Sequence, residues 1–184
     1  MNNVTRLVFS GSGGQGVITA AVILAETAVI YEGRNAVQTQ AYGAAARGGA
    51  TRSDIIISDG AINYPGVIQP NILVTLTQEA YTSFASIVRP GGLLLTDTRF
   101  VVTAKKVDAK KIELPMYDQV MDKIGKPIVY NICMLGTLIG ITELVGAESL
   151  LKVLAERIPA DFLEMNERAL DIGITLGEQY KYKI

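Results

Sequence analysis

The sequence predicts an α/β fold, a Rossmann-like doubly wound and mostly parallel sheet with a helical C-terminal part, on three observations. Short apolar runs such as Leu7-Val8-Phe9, Ile72-Leu73-Val74 and Leu93-Leu94-Leu95 recur between longer stretches of helical spacing. A glycine-rich turn, Gly11-Ser12-Gly13-Gly14-Gln15-Gly16, joins the first of these runs to the first helical stretch. From Tyr130 onward the character becomes helical throughout. Strands that alternate with helices favour a parallel sheet covered on both faces. The 184 residues fit a single domain, 1–184, whose helical part begins at about residue 130.

Each element has a local reason. Residues 5–10 form an apolar run suited to a buried strand. Beyond the glycine turn, Ala21, Leu24, Ala25 and Ala28 recur at three- and four-residue spacing, which predicts a helix over 17–31 stopped by Gly33. Residues 36–40 and 51–58 read as the second and third strands. The third turns at Asp59-Gly60, a dipeptide of hairpin type, so a short return strand is expected over 61–64. Residues 72–76 form another buried strand, followed by a helix over 78–88 that Pro90-Gly91-Gly92 breaks. The strand over 93–96 ends at Asp97, and 111–114 suits an edge strand. Three helices follow, over 131–144, 149–157 and 163–180, with Pro159 between the last two. There is no internal repeat and no low-complexity linker.

Composition removes several classes of function. Hydrophobic residues make up 49% of the chain and the mean hydropathy is +0.29, ample for a core and high enough that some apolar surface is expected to face partners. Seventeen basic and 18 acidic residues leave a net charge of −1 with no basic block, which argues against a nucleic-acid face. No run of about 18 apolar residues is present to span a bilayer. The chain enters its first strand directly after Met1-Asn2-Asn3, so no signal peptide is expected. The single Cys133 forms no internal disulfide and suits a reducing cytoplasm. With no His there is no triad base and no imidazole ligand, and one Cys cannot supply the four thiolates of an ordinary iron–sulfur cluster. The phosphate-loop pattern ending in Gly-Lys-Ser/Thr is also missing.

The glycine turn is the first candidate site. Gly11, Gly13 and Gly16 fit G-x-G-x-x-G between a strand and a helix. Glycines there allow a tight turn, close approach of backbone to a ligand, and close helix packing. Free N–H groups and the positive end of the helix dipole favour a phosphate by roughly 0.3–2 kcal/mol. The same glycines would equally serve a tight turn with no ligand. A nicotinamide enzyme would also place an acid at the end of the second strand for the ribose. That strand ends Gln38-Thr39-Gln40-Ala41, without one, and Glu32 precedes it.

A second loop, Tyr42-Gly43 followed by Arg47-Gly48-Gly49, leaves the end of the second strand, where open α/β sheets gather ligand-binding loops. Arg47 suits an anion clamp, because its guanidinium stays charged and can bind two oxygens. Gly48 and Gly49 would let backbone approach a ligand or another chain, and a solvated surface loop is the competing reading. Arg52 suits a strand surface charge. Gln78 and Glu79 open a helix at the same edge, either to contact a ligand or to favour the helix dipole. Asp97 is placed to orient a loop or a polar ligand. Asn131, Cys133 and Met134 begin an apolar helix with Gly136 and Gly140 at four-residue spacing, suited to close helix packing or subunit contact. Cys133 has no basic neighbour in sequence and reads as a core thiol.

Taken in order, Gly13-Gly14-Gln15-Gly16, Tyr42-Gly43, Arg47-Gly48-Gly49-Ala50, Gln78-Glu79-Ala80 and Pro90-Gly91-Gly92 resemble the gamma subunit of 2-oxoacid:ferredoxin oxidoreductases over about residues 4–175. Gln38-Thr39-Gln40-Ala41-Tyr42-Gly43 and Asn63-Tyr64-Pro65 are most similar to the 2-oxoglutarate type, with pyruvate, branched-chain and indolepyruvate relatives close by. Ala44-Ala45 stands where family members often carry a more polar pair. The resemblance implies a cytoplasmic hetero-oligomer of alpha, beta, gamma and delta subunits. Such an enzyme decarboxylates a 2-oxoacid, reduces ferredoxin and transfers the acyl group to coenzyme A. It further implies that thiamine diphosphate and the iron–sulfur clusters lie in partner subunits, with none in this chain and no catalytic residue or metal site here. Gly11, Ser12, Gly13, Gly14, Gln15, Gly16, Tyr42, Arg47, Gly48 and Gly49 are then the expected coenzyme A-binding residues. The alternatives are a stand-alone dinucleotide oxidoreductase and a purely structural subunit.

Overall fold

Six strands form one sheet in the order β2-β3-β1-β4-β5-β6, in a computed structural model that describes residues 3–41 and 50–183. They are β1 (Val4–Gly11), β2 (Asn35–Ala41), β3 (Thr51–Ser58), β4 (Ile72–Thr75), β5 (Gly92–Asp97) and β6 (Ala109–Leu114). β1, β4, β5 and β6 are mutually parallel, whereas β3 runs antiparallel to both β1 and β2. Five strands therefore point one way and β3 alone is reversed. The connection from β2 to β3 spans only residues 42–50. That suffices to reverse the chain, whereas a parallel crossover needs a dozen residues or more.

Side chains alternate between two cores. Leu7, Phe9, Ile55, Ile57, Val74 and Leu95 face a large core. It is shared by α1 (Val17–Glu26), α3 (Met116–Lys123), α4 (Tyr130–Thr142), α5 (Ala147–Arg157) and α6 (Ala160–Glu178). Val8, Ile56, Leu73 and Leu94 face a smaller core with Tyr81, Ala85 and Val88, on and just after α2 (Gln78–Phe84). This period of two buries the sheet on both faces and explains why its strands read as unbroken apolar runs. The doubly wound architecture is the expected one.

α1 continues into a π-helical turn over Thr27–Tyr31, where the buried Thr27 hydroxyl donates to Ile23 O at 2.7 Å. Gly33, at φ 63°, follows. α4 is the central helix. Its residues from Tyr130 to Ile141 are all buried, as a helix apolar on every side requires. Its small residues meet those of α6: a Cβ on Gly140 would lie 2.6 Å from Ile174 O, and one on Gly136 or Gly173 would fall still closer to Leu170 O or Cys133 O.

Two local expectations need correction. No strand forms over residues 61–64. β3 already has β1 on one side and β2 on the other, so no free edge remains for a return strand. Asp59 instead pairs with Arg34 at 3.0 Å, and Gly60 N–H donates to Ser58 Oγ at 3.1 Å. Conversely, α3 was not anticipated. Pro115 is its N-cap, and Met116 and Val120 bury one face of this short helix.

Candidate functional site

The C-terminal ends of β1, β2, β4, β5 and β6 share one edge of the sheet, the edge at which open α/β sheets bind ligands. There β1 passes into residues 11–16 and then α1. Within this turn the glycines do different work. A Cβ on Gly11 would collide with the Gln15 carboxamide oxygen and crowd Val17 Cγ2 at 3.0 Å, so Gly11 serves packing. Gly16 is left-handed, φ 71°, and a Cβ there would lie 2.5 Å from Asn131 Nδ2. Gly14 is also left-handed, φ 88°, but Gly13 and Gly14 have nothing within 4 Å of a Cβ position. These two face open space.

The Gln15 side chain stitches the turn together. Its carboxamide oxygen accepts from Ser12 N–H at 2.7 Å, and its Nε2 donates to Leu76 O at 3.3 Å, beyond the end of β4. Asn131 Nδ2 donates to Gly16 O at 3.3 Å from α4. The turn is thus held from two sides while its tip stays open. Gly16 is the N-cap of α1, with no side-chain cap and no acid in the first turn. Ala20 N–H takes Gly16 O as the first helical bond, so the N–H groups of Val17, Ile18 and Thr19 have no intrahelical acceptor. An uncapped N-terminus of this kind can take an anion.

Two depressions flank the turn. One, of about 370 Å³, is lined by Ser12, Gly13, Gly14, Gly16, Ile18, Thr19 and Thr51 among others. The other, of about 440 Å³, runs from Gly14 and Gly16 to Asn131, Phe162 and Asn166. Sequence reasoning missed this second cleft. Its far walls come from Ile128 to Ile132, at the start of α4, and from Ile158 to Asn166, at the start of α6, more than a hundred residues from the turn, and no local pattern connects them. The one available signal was Asn131, a polar residue opening an otherwise apolar helix.

Tyr42, Arg47, Gly48 and Gly49 lie outside the described residues. The stretch that carries them leaves β2 at Ala41 and enters β3 at Thr51, which lies opposite Gly11 in the β1–β3 register. Both candidate loops are therefore rooted at the same edge, and Ser10 Oγ donates to Thr51 O there at 2.8 Å.

The remaining polar residues have structural partners. Arg52 binds Asp54 through two bonds of 2.6 and 3.0 Å, donates to Val67 O at 2.6 Å and lies over the Phe84 ring. It fastens the chain beyond β3 rather than standing as a free charge. Gln78 accepts from Val102 N–H at 2.8 Å, and Thr77 caps α2 by accepting from Ala80 N–H at 3.2 Å. Asp97 is fully buried and orients a loop: it accepts from Arg99 N–H at 2.9 Å, Tyr117 N–H at 2.8 Å and the Tyr130 hydroxyl at 2.9 Å. Burial raises its pKa above the ordinary carboxylate value, against those three donors. Burial likewise pushes Cys133 up to about 12, so this thiol is inert core. No group of three or more His, Cys, Asp or Glu among the described residues could hold a metal ion. No helix among them is long and apolar enough to cross a membrane.

Comparison with known proteins gives this architecture a family. The model of the pyruvate ferredoxin/flavodoxin oxidoreductase family matches residues 6–176. The 2-oxoglutarate synthase subunit KorC of Methanocaldococcus jannaschii is 41% identical over 172 residues, 92% of either chain. The gamma subunit of a keto/oxoacid ferredoxin oxidoreductase from Geobacter sulfurreducens superposes with TM-score 0.89 at 36% identity, covering 98% of this chain and 99% of that one. At 20% identity the same fold recurs, with TM-score 0.84, in the 2-oxoglutarate:ferredoxin oxidoreductase of Magnetococcus marinus, solved with 2-oxoglutarate, coenzyme A and succinyl-CoA bound. The match there covers 97% of this chain and 32% of the longer one. The chain thus belongs to the pyruvate ferredoxin/flavodoxin oxidoreductase family, as a gamma-type subunit of a 2-oxoacid:ferredoxin oxidoreductase.

Proposed function

We propose that this subunit serves a cytoplasmic 2-oxoglutarate:ferredoxin oxidoreductase by helping to assemble it and by capturing coenzyme A. The whole enzyme converts 2-oxoglutarate and coenzyme A to succinyl-CoA and carbon dioxide, passing two electrons to ferredoxin. Thiamine diphosphate and the iron–sulfur clusters belong to the alpha, beta and delta partners. Four relatives between 34% and 41% identical are 2-oxoglutarate synthase KorC subunits, which supports this choice of oxoacid.

The observation that carries coenzyme A capture is the open tip of the glycine turn. Gly13 and Gly14 have free space above them, beside an α1 N-terminus that no side chain caps. A diphosphate fits such a place because backbone N–H groups and the helix dipole offset its charge. Ser12, Gly13, Gly14 and Gly16 supply backbone to it, while Gly11 and Gln15 hold the turn in shape. In this reading Arg47 supplies the cation for a phosphate, and Tyr42, Gly48 and Gly49 of the same stretch are the other expected contacts.

Titration of the assembled enzyme with coenzyme A, alongside turnover kinetics, tests the reading. Arg47→Ala is expected to raise the KM for coenzyme A about 10- to 150-fold, the worth of a charge-assisted hydrogen bond. Decarboxylation with a one-electron acceptor should be unchanged. Arg47→Lys should recover part of the loss, since the charge remains but the two-pronged fork does not. If Arg47→Ala left an intact complex with an unchanged KM, the residue would have no part in the site. A lower yield of complex would instead make it a subunit contact.

A further inference from the structure

We propose that the loop between β3 and β4, together with Arg6, docks a neighbouring subunit of the same enzyme that presents a carboxylate among apolar side chains. The inference rests on the assembly half of the function proposed above and deepens it.

Residues 59–71 join β3 to β4 without a helix or strand. A structureless connection of that length is uncommon in a compact domain unless it serves a function. This one is fastened along its whole course. Asp59 pairs with Arg34 at its start. In its middle, Val67 N–H donates to Asp54 at 3.1 Å and Val67 O accepts from Arg52 at 2.6 Å. At its end, Pro70 O accepts from Arg89 N–H at 3.0 Å, and Asn71 N–H donates to Arg6 O at 2.7 Å. A Cβ on Gly66 would lie 2.6 Å from Tyr64 Cε1, so the Tyr64 ring is laid over that glycine. A surface ordered in advance loses little further entropy when a partner binds.

The loop displays apolar groups and no charge. From Ala61 to Pro70 it carries no acidic or basic residue, and Tyr64 and Ile68 are 66% and 75% exposed. Beside it opens a depression of about 210 Å³ where Arg6 meets Ile56, Ser58, Asn63 and Tyr64. Arg6 is fixed in the sheet, its N–H donating to Asn71 Oδ1 at 2.9 Å. Among the described residues, however, no carboxylate pairs with its guanidinium. Arginine and tyrosine set among apolar neighbours are the residue types that carry most of the binding energy at protein interfaces.

Charge decides the occupant. A two-fold contact between copies of this chain would set the same patch against itself. Arg6 would then face an uncharged loop and another Arg6, and Asp59, the acid at the loop's start, is already held by Arg34. A different chain that carries Asp or Glu satisfies the cation and covers the apolar rim together. Arg6 lies near the start of β1, and the glycine turn leaves the end of that strand. Docking here therefore leaves the turn open.

The test uses the assembled enzyme and reads the dilution at which this subunit leaves it, by mass photometry. Arg6→Ala should raise the dissociation constant about 30-fold, the scale of one interface hot spot. Arg6→Glu should raise it further and Arg6→Lys less. Independently, Ile68→p-benzoylphenylalanine should crosslink on irradiation to a peptide of another subunit that contains Asp or Glu. An unchanged dissociation constant for Arg6→Glu would overturn the proposal, as would a crosslink to a second copy of this chain or to no chain at all. Loss of the folded subunit in Arg6→Ala would also overturn it, by giving Arg6 a structural role. Enzyme produced without this subunit separates the two levels of inference. If the other chains hold together equally well alone, the assembly reading itself falls. If they need this chain but Arg6→Glu and wild type dissociate alike, only the docking surface is wrong.

Discussion

Glycine is used in opposite ways in two regions of this molecule. Where α4 crosses α6, Gly136, Gly140, Gly173 and Gly177 let two helices approach until a Cβ on any of them would strike the other backbone. At the tip of the turn after β1, a Cβ on Gly13 or Gly14 would have no atom beyond its chain neighbours within 4 Å. In the first region the missing side chain is filled by protein, and in the second it is left for something else. Glycine costs conformational entropy wherever it occurs, so a glycine against empty space calls for a ligand, a partner or a φ that needs it. Gly14 has such a φ, 88°, whereas Gly13 does not lie in the left-handed region. Gly13 is the residue whose identity the isolated chain explains least.

Four substitutions break or sharpen this contrast. Gly173→Ala should have the largest effect on stability. Its Cβ would press on Cys133 O and lie 2.7 Å from Thr137 N, and backbone cannot move aside as a side chain tip can. A loss of about 3 kcal/mol or outright failure to fold is expected, read by thermal or urea unfolding. A stability within error of wild type would mean that the helices can part cheaply. Gly16→Ala combines a left-handed φ with the Asn131 contact at 2.5 Å. It should cost about 1–2 kcal/mol and disturb the turn as well.

Gly13→Val lies on the other side of the contrast. With open space above Gly13, unfolding should shift by less than about 0.5 kcal/mol, as for an ordinary surface change. The KM for coenzyme A should nonetheless rise, because a branched side chain blocks approach to the backbone. Destabilisation as large as that of Gly16→Ala would place the residue with the packing glycines instead. Lys110→Ala is the smallest change. Lys110 is exposed on the edge strand β6, far along the sheet from the turn, and neither stability nor coenzyme A kinetics should respond.

The acid side of the stability curve offers a separate check on the same sheet edge. Asp97 has a folded pKa raised by burial, so the folded state holds its proton more tightly than the unfolded state does. Its contribution is fully present below the unfolded carboxylate value and is lost as pH rises through the folded pKa. Asp97→Asn should therefore flatten this fall in stability between the two values, as measured by unfolding across that acid range. An unchanged slope would mean that the three donors to Asp97 cancel the effect of its burial.

Much of the fold was legible because it rests on local rules. The bounds of β3 were read to the residue, and those of β1, β2, β4 and β5 to within one or two. Strands buried on both faces make continuous apolar runs, and these are bounded by Gly33, Asp59-Gly60 and Pro90-Gly91-Gly92. The helical path from 17 to 31 was also correct, though its last turn is π-helical. The errors came where neighbours decide. A return strand after Asp59-Gly60 looked reasonable until β3 proved to be flanked on both sides. α3 hid behind Pro115 because an eight-residue helix with two core residues leaves little periodicity to read.

The sequence by itself determined the class of fold, the family, the presence of a glycine-rich turn between the first strand and the first helix, and the lack of histidine and paired cysteine chemistry. These depend on residue types at short spacing, which any viewer of the chain can count. Only the tertiary structure decided which glycines are filled and which are open, that Gln15 spends its side chain on Ser12 and Leu76, and that Arg52 belongs to Asp54 and Val67. It also brought Asn131, Phe162 and Asn166 to the flank of a turn more than a hundred residues away. The physical reason is that a side chain's role depends on what occupies the space around it. That space is enclosed by segments whose separation along the chain carries no trace of their meeting.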